Sequence, residues 1–178
     1  MTLSRRQMLV LGGGGLVALA TFAAAPVRSA EPVEIAMRGT PRGERVWFSP
    51  PGLSVAAGTP LRFVNQDPAN SHTCTAYHPD LFDRQRRIPA AAVPWDSDFL
   101  LPGDSFALTL TVPGVYDYYC QPHEMAAMVG RIVVGRPGDP GWEGPAPDSE
   151  DLMAEVLAAF PPVDAILARG RVEAQEAA

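Results

Sequence analysis

The sequence contains no lysine, only two cysteines and only three histidines among its 178 residues. All 14 basic residues are therefore arginines, and 20 acidic residues outnumber them to give a net charge of −6. A chain that is negative overall has little attraction for a polyanion, which argues against nucleic acid as a partner. Two cysteines allow at most one disulfide bond. Three histidines are too few to build the several histidine-rich metal centres of a multi-centre metalloenzyme.

Turn-forming residues are plentiful. The chain has 19 prolines and 16 glycines, and 47% of its residues are hydrophobic. This composition provides enough apolar side chains for a packed core and favours short strands and turns over a helical bundle. The length corresponds to one domain with extensions.

The first 30 residues resemble a twin-arginine export signal. Arg5 and Arg6 directly precede an apolar run, residues 9–25, and small residues follow with possible cleavage after Ser29 or Ala30. An ordinary secretory signal or an uncleaved membrane anchor is the alternative interpretation. Removal of residues 1–30 would leave 11 arginines against 20 acidic residues, a net charge of −9. We therefore expect a periplasmic or otherwise extracytoplasmic protein in an oxidising compartment, where the two cysteines could pair.

Residues 31–135 show the alternation of a β-sandwich. Apolar residues recur at every second position in several short segments, and turn signals separate these segments. This pattern predicts an all-β domain, either a sandwich or a Greek-key barrel. The alternation lapses between Ala76 and Pro102, where we expect a long loop whose basic cluster is solvated. That cluster consists of Arg84, Arg86 and Arg87.

Residues 136–178 have a different composition. A proline- and glycine-rich linker leads to an acidic tail, in which Asp148 is a candidate helix cap. We predict one helix with an apolar stripe and a second short helix around Ile166. The stripe consists of Leu152, Met153, Val156, Leu157 and Phe160. We expect it to pack on the protein's own sandwich, with docking of a partner or a second copy as the alternative.

Three potential metal ligands lie close together in YYCQPHEMAAMVG, residues 118–130: Cys120, His123 and Met128. Side chains alternate along a strand, so Cys120 should point inward with the aromatic residues before it. A thiolate, an imidazole and a thioether suit copper, and an electron-transfer copper site adds a second histidine to form a trigonal His₂Cys plane with a weak axial Met. His72, which follows a predicted strand and turn, is the natural candidate.

The spacing of these residues resembles that of the cupredoxins. Asn70-Ser71-His72, Tyr119-Cys120-Gln121-Pro122-His123 and Met128-Val129-Gly130 are similar to the plastocyanin, pseudoazurin and halocyanin branch of type 1 blue copper proteins. The resemblance covers about residues 33–135. It implies a Greek-key antiparallel β-sandwich, one copper ion held by His72, Cys120, His123 and Met128, and exchange of single electrons with redox partners. It also implies a second docking surface at Tyr119.

The chain departs from the family at two adjacent positions. Thr73 stands where plastocyanins usually have an asparagine that forms a hydrogen bond near the copper cysteine, so the resemblance leaves that contact open. Cys74 stands where an apolar core residue is usual, and we expect it to be a buried free thiol.

Several alternatives remain open from the sequence. Cys74 and Cys120 could form a disulfide, which would remove the thiolate. His78 could replace His72, and Met125 could replace Met128.

We expect no enzyme and no catalytic residues. Shuttling of electrons by a mononuclear blue copper site is the function that the residues favour, and a copper chaperone or storage protein is the alternative.

Overall fold

The computed structural model of the protein describes residues 31–174. The predicted export signal, residues 1–30, lies outside the described residues. Within the described range, each helix is too short or too polar to span a bilayer. The strands are β1 (Val33–Gly39), β2 (Val46–Ser49), β3 (Gly52–Val55), β4 (Pro60–Asn65), β5 (Thr75–Ala76), β6 (Ser105–Thr109), β7 (Gly114–Tyr119), β8 (Val129–Val134) and β9 (Arg171–Val172). A 3₁₀ helix, Gln121–Ala126, precedes β8, and the tail contains helices α1 (Ala154–Ala159) and α2 (Val163–Arg169).

The strands form two sheets that face each other, which confirms the predicted β-sandwich. The first sheet has the order β2-β1-β4-β6 and the second has the order β5-β7-β8-β3-β9. Two strand pairs, β1–β4 and β3–β8, are parallel, whereas the expected sandwich was antiparallel throughout. The β1–β4 pair is parallel because the chain crosses to the second sheet at β3 and returns to the first at β4, so that β4 runs alongside β1 in the same direction.

Aromatic side chains fill the core between the two sheets. The ring of Tyr118 makes edge contacts with Phe48 and Phe63, with centroids 4.8 and 5.3 Å apart. Gly130 lies opposite Tyr118 on β8, where a Cβ atom would lie 2.3 Å from the tyrosine ring. The close packing of the Tyr118 ring against β8 therefore requires glycine at this position.

The second sheet is buried on both faces because the tail covers its outer side. Every residue of β7 and of β8 is buried. The tail residues Leu152, Val156 and Phe160 pack against Tyr77, Tyr119 and Val129. The predicted apolar stripe thus packs on the protein's own sandwich. Met153, however, is 39% exposed and lies at the N-cap of α1, which begins later than the Asp148 cap predicts.

A buried ionic cluster lies beneath this tail. Asp117 accepts hydrogen bonds from Nε of Arg87 at 3.0 Å and from Nε of Arg131 at 2.6 Å. The ring of Phe160 lies about 5 Å from both guanidinium groups. A carboxylate on the outer face of a strand is tolerated here because two guanidinium groups pair with it and the aromatic ring covers the cluster.

The expectation of a solvated arginine cluster is wrong for two of its three members, because Arg87 is buried and Arg84 is largely buried, whereas Arg86 remains exposed. Arg84 binds Glu124 and Asp151, Arg86 binds Glu143, and Arg87 binds Asp117. The acidic partners are distant in sequence, and the pattern of nearby charges alone therefore gave no sign of the pairing.

Candidate metal centre

The hairpin between β7 and β8 carries three of the four predicted ligands. Cys120 follows the last residue of β7, His123 lies in the 3₁₀ helix, and Met128 directly precedes β8. The Cys120 N–H donates to the Met128 carbonyl at 3.0 Å, and the Met128 N–H donates to the His123 carbonyl at 3.1 Å. Ala127 adopts a left-handed conformation, φ 57°, which turns the chain back into β8. Backbone hydrogen bonds therefore fix the relative positions of all three residues.

The fourth predicted ligand, His72, enters from the segment between β4 and β5. Its backbone exchanges two hydrogen bonds with Leu100, at 2.8 and 3.1 Å. This pairing holds His72 at the same end of the sandwich as the β7–β8 hairpin. The side chain is fully buried.

Three donor atoms converge at this end of the sandwich. Sγ of Cys120 lies 3.6 Å from Nδ1 of His72 and 3.5 Å from Nδ1 of His123, and the two nitrogens are 3.2 Å apart. A point equidistant from the three atoms lies about 2.0 Å from each, which matches a metal–nitrogen bond and is slightly short for metal–sulfur. Two imidazoles and one thiol in a triangle of this size fit copper.

Met128 is the buried methionine of the β7–β8 hairpin. Its side chain is fully buried, whereas Met125 is 73% exposed on the 3₁₀ helix. The burial difference favours Met128 over Met125 as the thioether ligand. Its role as a ligand stays a prediction.

The hydrogen bonds of His72 define which nitrogen is free. Nε2 of His72 lies 3.0 Å from the buried Oδ2 of Asp67, so Nε2 carries the proton and donates it to the carboxylate. Nδ1 then presents its lone pair to Cys120 and His123. Burial lowers the pKa of His72 despite the opposing effect of Asp67, so the ring is neutral and able to bind a metal near pH 7.

His123 is the more exposed of the two histidines. Its ring lies 4.9 Å from that of His72, centroid to centroid. Partial burial and the neighbouring His72 lower its pKa below the ordinary value. This ring is therefore also neutral at pH 7, and it is the donor group that reaches the surface.

The Cys120 thiol is buried. Burial raises its pKa to about 11, although a hydrogen bond from the Thr73 N–H, 3.3 Å from Sγ, favours the thiolate. Without a metal the thiol therefore keeps its proton near neutral pH, and a metal must displace that proton.

Thr73 supplies the contact that the sequence left open. Its hydroxyl oxygen accepts a hydrogen bond from the Gln121 N–H at 2.9 Å, and its own N–H reaches the Cys120 sulfur. Gln121 continues the network to Thr75 and Asp96. The sequence did not predict this network, because its members lie in three segments, at residues 73–75, 96 and 121, that are more than twenty residues apart along the chain.

The structure argues against two of the alternatives from the sequence, the Cys74–Cys120 disulfide and His78 as a ligand. Cys74 and Cys120 are both free, and Nε1 of Trp95 donates to Sγ of Cys74 at 3.3 Å, so Cys74 is a buried free thiol as expected. His78 contacts Asp80 and lies outside the donor triangle.

The resemblance implies a second docking surface at Tyr119, but this side chain is buried in the part of the chain that the structure describes. Tyr119 is only 2% exposed, because it stacks on Tyr77 with ring centroids 4.3 Å apart and tail residues cover both rings. The resemblance could not indicate this, since the tail lies outside the region of similarity.

Comparison with known proteins agrees with this geometry. Residues 35–135 match the model of the copper-binding plastocyanin/azurin family. Plastocyanin of Prochlorothrix hollandica is 35% identical over 137 residues, which cover 75% of this chain and 95% of that protein. Chloroplastic plastocyanin of Hordeum vulgare is 34% identical over 91 residues, 49% of this chain and 54% of that protein.

The similarity extends to solved structures. The oxidised form of plastocyanin from Dryopteris crassirhizoma is 25% identical and aligns over 58% of this chain and 100% of that one, with a TM-score of 0.44. The match of residues 35–135 to the family model and the 35% identity to the Prochlorothrix protein each show the family. The chain belongs to the plastocyanin/azurin family of copper-binding proteins.

Proposed function

We propose that this protein is an exported mononuclear blue copper protein that carries single electrons between redox partners. His72, Cys120 and His123 would hold the copper in the trigonal plane, and Met128 would make the weak axial contact. The observation that carries the proposal is the donor triangle, with all three edges between 3.2 and 3.6 Å.

The surrounding chain suits electron transfer because it holds these donors in place. Bound copper would supply the one-electron change between Cu(I) and Cu(II). The hydrogen bonds within the β7–β8 hairpin and between His72 and Leu100 fix the ligand backbones, so little rearrangement accompanies a change of charge. Buried His72 and Cys120 are shielded from water, which also limits access of competing ligands.

Partners would meet the protein where His123 reaches the surface. Exposed apolar side chains lie on neighbouring segments: Met125 on the 3₁₀ helix, and Phe99 and Leu101 on either side of the His72 partner Leu100. A small apolar surface of this kind suits brief docking, since transient redox encounters bury less than about 1,200 Å².

The visible spectrum and the electrochemistry of the copper form test this function. We expect an intense thiolate-to-copper band and reversible oxidation and reduction with the metal retained. Cys120→Ser should abolish the band, whereas Cys74→Ser, the matched control at the other buried thiol, should keep it. Copper that leaves for an acceptor on reduction would instead indicate a chaperone or storage protein. A persistent blue colour in Cys120→Ser would contradict the proposed ligand set.

Export is the second part of the proposal. We propose that residues 1–30 direct the chain through the twin-arginine pathway, that residues 31–135 form the copper domain, and that residues 136–178 form the tail. Replacement of Arg5 and Arg6 by lysine should block export, and Arg28→Lys should not. Export of the Arg5/Arg6 double variant at the level of the unmodified protein would contradict the twin-arginine route. Retention of the protein in the membrane would indicate an uncleaved signal.

A further inference from the structure

A buried carboxylate lies directly behind His72, on the side of the ring away from the donor triangle. Asp67 and His72 are both fully buried, and Oδ2 of Asp67 lies 3.0 Å from Nε2 of His72. A buried carboxylate normally requires several hydrogen-bond donors. The contacts of Asp67 are therefore informative about its role.

The Asp67 carboxylate is held by a tight turn. Oδ1 accepts backbone N–H groups from Ala69 at 2.8 Å and from Asn70 at 3.2 Å, and Oδ2 accepts the side-chain amide of Asn70 at 2.9 Å. The Asp67 N–H donates to Oδ1 of Asn65 at 2.9 Å. With His72, four donors therefore hold the two oxygens in one orientation.

The last residue of β1 makes room for this carboxylate. A Cβ atom at Gly39 would lie 1.9 Å from Oδ2 of Asp67, so any larger residue would push the carboxylate aside. Gly39 has no positive φ in the structure, so its backbone conformation does not require glycine. Space for Asp67 is the physical reason for a glycine at this position.

We propose that Asp67 is a positioning residue for the copper site, an inference that rests on the proposed function. By accepting the Nε2 proton, Asp67 keeps Nδ1 of His72 unprotonated and directed at Cys120 and His123. A neutral imidazole without such a partner can carry its proton on either nitrogen, and an Nδ1 proton would block metal binding. The negative charge of Asp67 also makes the imidazole a stronger ligand for a metal and stabilises the more positive oxidation state of that metal.

Two variants remove this contact by different routes. In Asp67→Asn, the two backbone donors on the Oδ1 side require the amide oxygen, so the NH₂ group takes the place of Oδ2. There it faces Nε2 of His72, which must become an acceptor, and the side-chain amide of Asn70, which must present its oxygen instead of its NH₂ group. In Gly39→Ala, the carboxylate remains but is displaced. The controls are Asp96→Asn, a carboxylate that binds Thr75 and Gln121 but no predicted ligand, and Gly144→Ala, whose Cβ would have ordinary contacts.

The first measurement needs no copper. Nitrogen-15 NMR of the metal-free protein reports which nitrogen of His72 carries the proton. We expect the Nε2–H tautomer in the unmodified protein and in both controls, and the Nδ1–H tautomer in Asp67→Asn. Gly39→Ala should show a mixture of the two tautomers.

The second measurement uses copper. We expect a 10- to 100-fold loss of copper affinity and a higher reduction potential in Asp67→Asn, and a smaller change of the same sign in Gly39→Ala. An unchanged tautomer and potential, with only lower thermal stability, would show that Asp67 merely builds the turn and would overturn the inference. If Asp67→Asn does not fold, Gly39→Ala decides by the same criteria. Absence of a blue copper centre in the unmodified protein would refute the proposed function, while the tautomer result would still stand.

Discussion

Arg84 binds both carboxylate oxygens of Glu124, the residue that follows the predicted ligand His123. Nη1 of Arg84 lies 2.7 Å from Oε2 and Nη2 lies 2.8 Å from Oε1. Tyr77 donates its hydroxyl to Oε1 at 2.6 Å, and Nε of Arg84 also binds Asp151 of the tail at 3.2 Å. The long loop, the tail and the β7–β8 hairpin that carries the predicted ligands (the ligand hairpin) therefore meet in one ionic network beside the metal centre.

Removal of the Glu124 charge should loosen the ligand hairpin. In Glu124→Gln the bidentate contact with Arg84 is lost, and charged hydrogen bonds of this kind contribute about 1.5–3 kcal/mol each. We expect lower stability and faster loss of Cu(I) to a chelator, both measured on the copper-loaded protein. The control is Glu143→Gln, which breaks the more exposed contact with Arg86 far from the ligands. Equal rates of copper loss in both variants would mean that the network does not stabilise the hairpin.

The tail should contribute strongly to stability through Phe160. This ring is 6% exposed and covers the Arg87–Asp117–Arg131 cluster. Phe160→Ala should lower the free energy of unfolding by about 3–5 kcal/mol, measured by denaturant titration. Met153→Ala, a partly exposed position in the same tail, should have a much smaller effect. Similar small losses in both would show that the tail is not part of the folded core.

The two methionines of the ligand hairpin should behave differently. Met128→Leu conserves volume in a fully buried position, so the fold should be kept at a cost below about 1.5 kcal/mol. The copper form should stay blue with a higher potential, because the thioether contact is lost. Met125→Leu, at an exposed position, should change neither spectrum nor potential. Spectroelectrochemistry of the two variants checks this, and a potential shift in Met125→Leu alone would reverse the assignment.

Copper uptake should release one proton. Since the pKa of Cys120 is about 11 and the pKa values of His72 and His123 are lowered, the metal-free site near pH 7.5 has a protonated thiol and neutral imidazoles. Binding of Cu(I) under anaerobic conditions must displace the thiol proton, and the number released should fall as the pH approaches the pKa of Cys120. Calorimetry in buffers of different ionisation enthalpy measures this number. Cys120→Ser should release none, and equal release from that variant would identify a different source.

Alkaline unfolding should follow from the buried tyrosines. Burial is the largest cause of a raised pKa in all four, which are Tyr77, Tyr116, Tyr118 and Tyr119, and for Tyr116 the pKa is about 12. An unfolded tyrosine ionises near pH ~10, so the folded state binds more protons above that pH. The stabilisation is complete below about pH 10 and is lost as the pH rises through the folded pKa values.

Absorbance at 295 nm and circular dichroism, followed together, test this behaviour. Tyrosinate should appear in one cooperative step that coincides with unfolding. Protein unfolded in guanidinium chloride is the control and should titrate gradually near pH ~10. Gradual ionisation of the folded protein near that pH would contradict the burial of these hydroxyl groups.

The sequence alone predicted the sandwich and three neighbouring candidate ligands. Alternation predicted the strands because a half-buried strand must place apolar residues at every second position. Cys120, His123 and Met128 could be identified because they lie in one short hairpin, where chain connectivity already keeps them close. Cys120 was expected to point inward, and it does so, since Tyr118 and Cys120 share a face.

Only the tertiary structure decided the contacts between segments far apart in the chain. It selected His72 over His78, placed Asp67 behind the His72 ring, and paired the arginines of the long loop with distant acids. It also buried Tyr119, because the tail packs on the outer face of β7. A local pattern records which way a side chain points from its own strand. What lies opposite that side chain depends on how the sheets and the tail pack together.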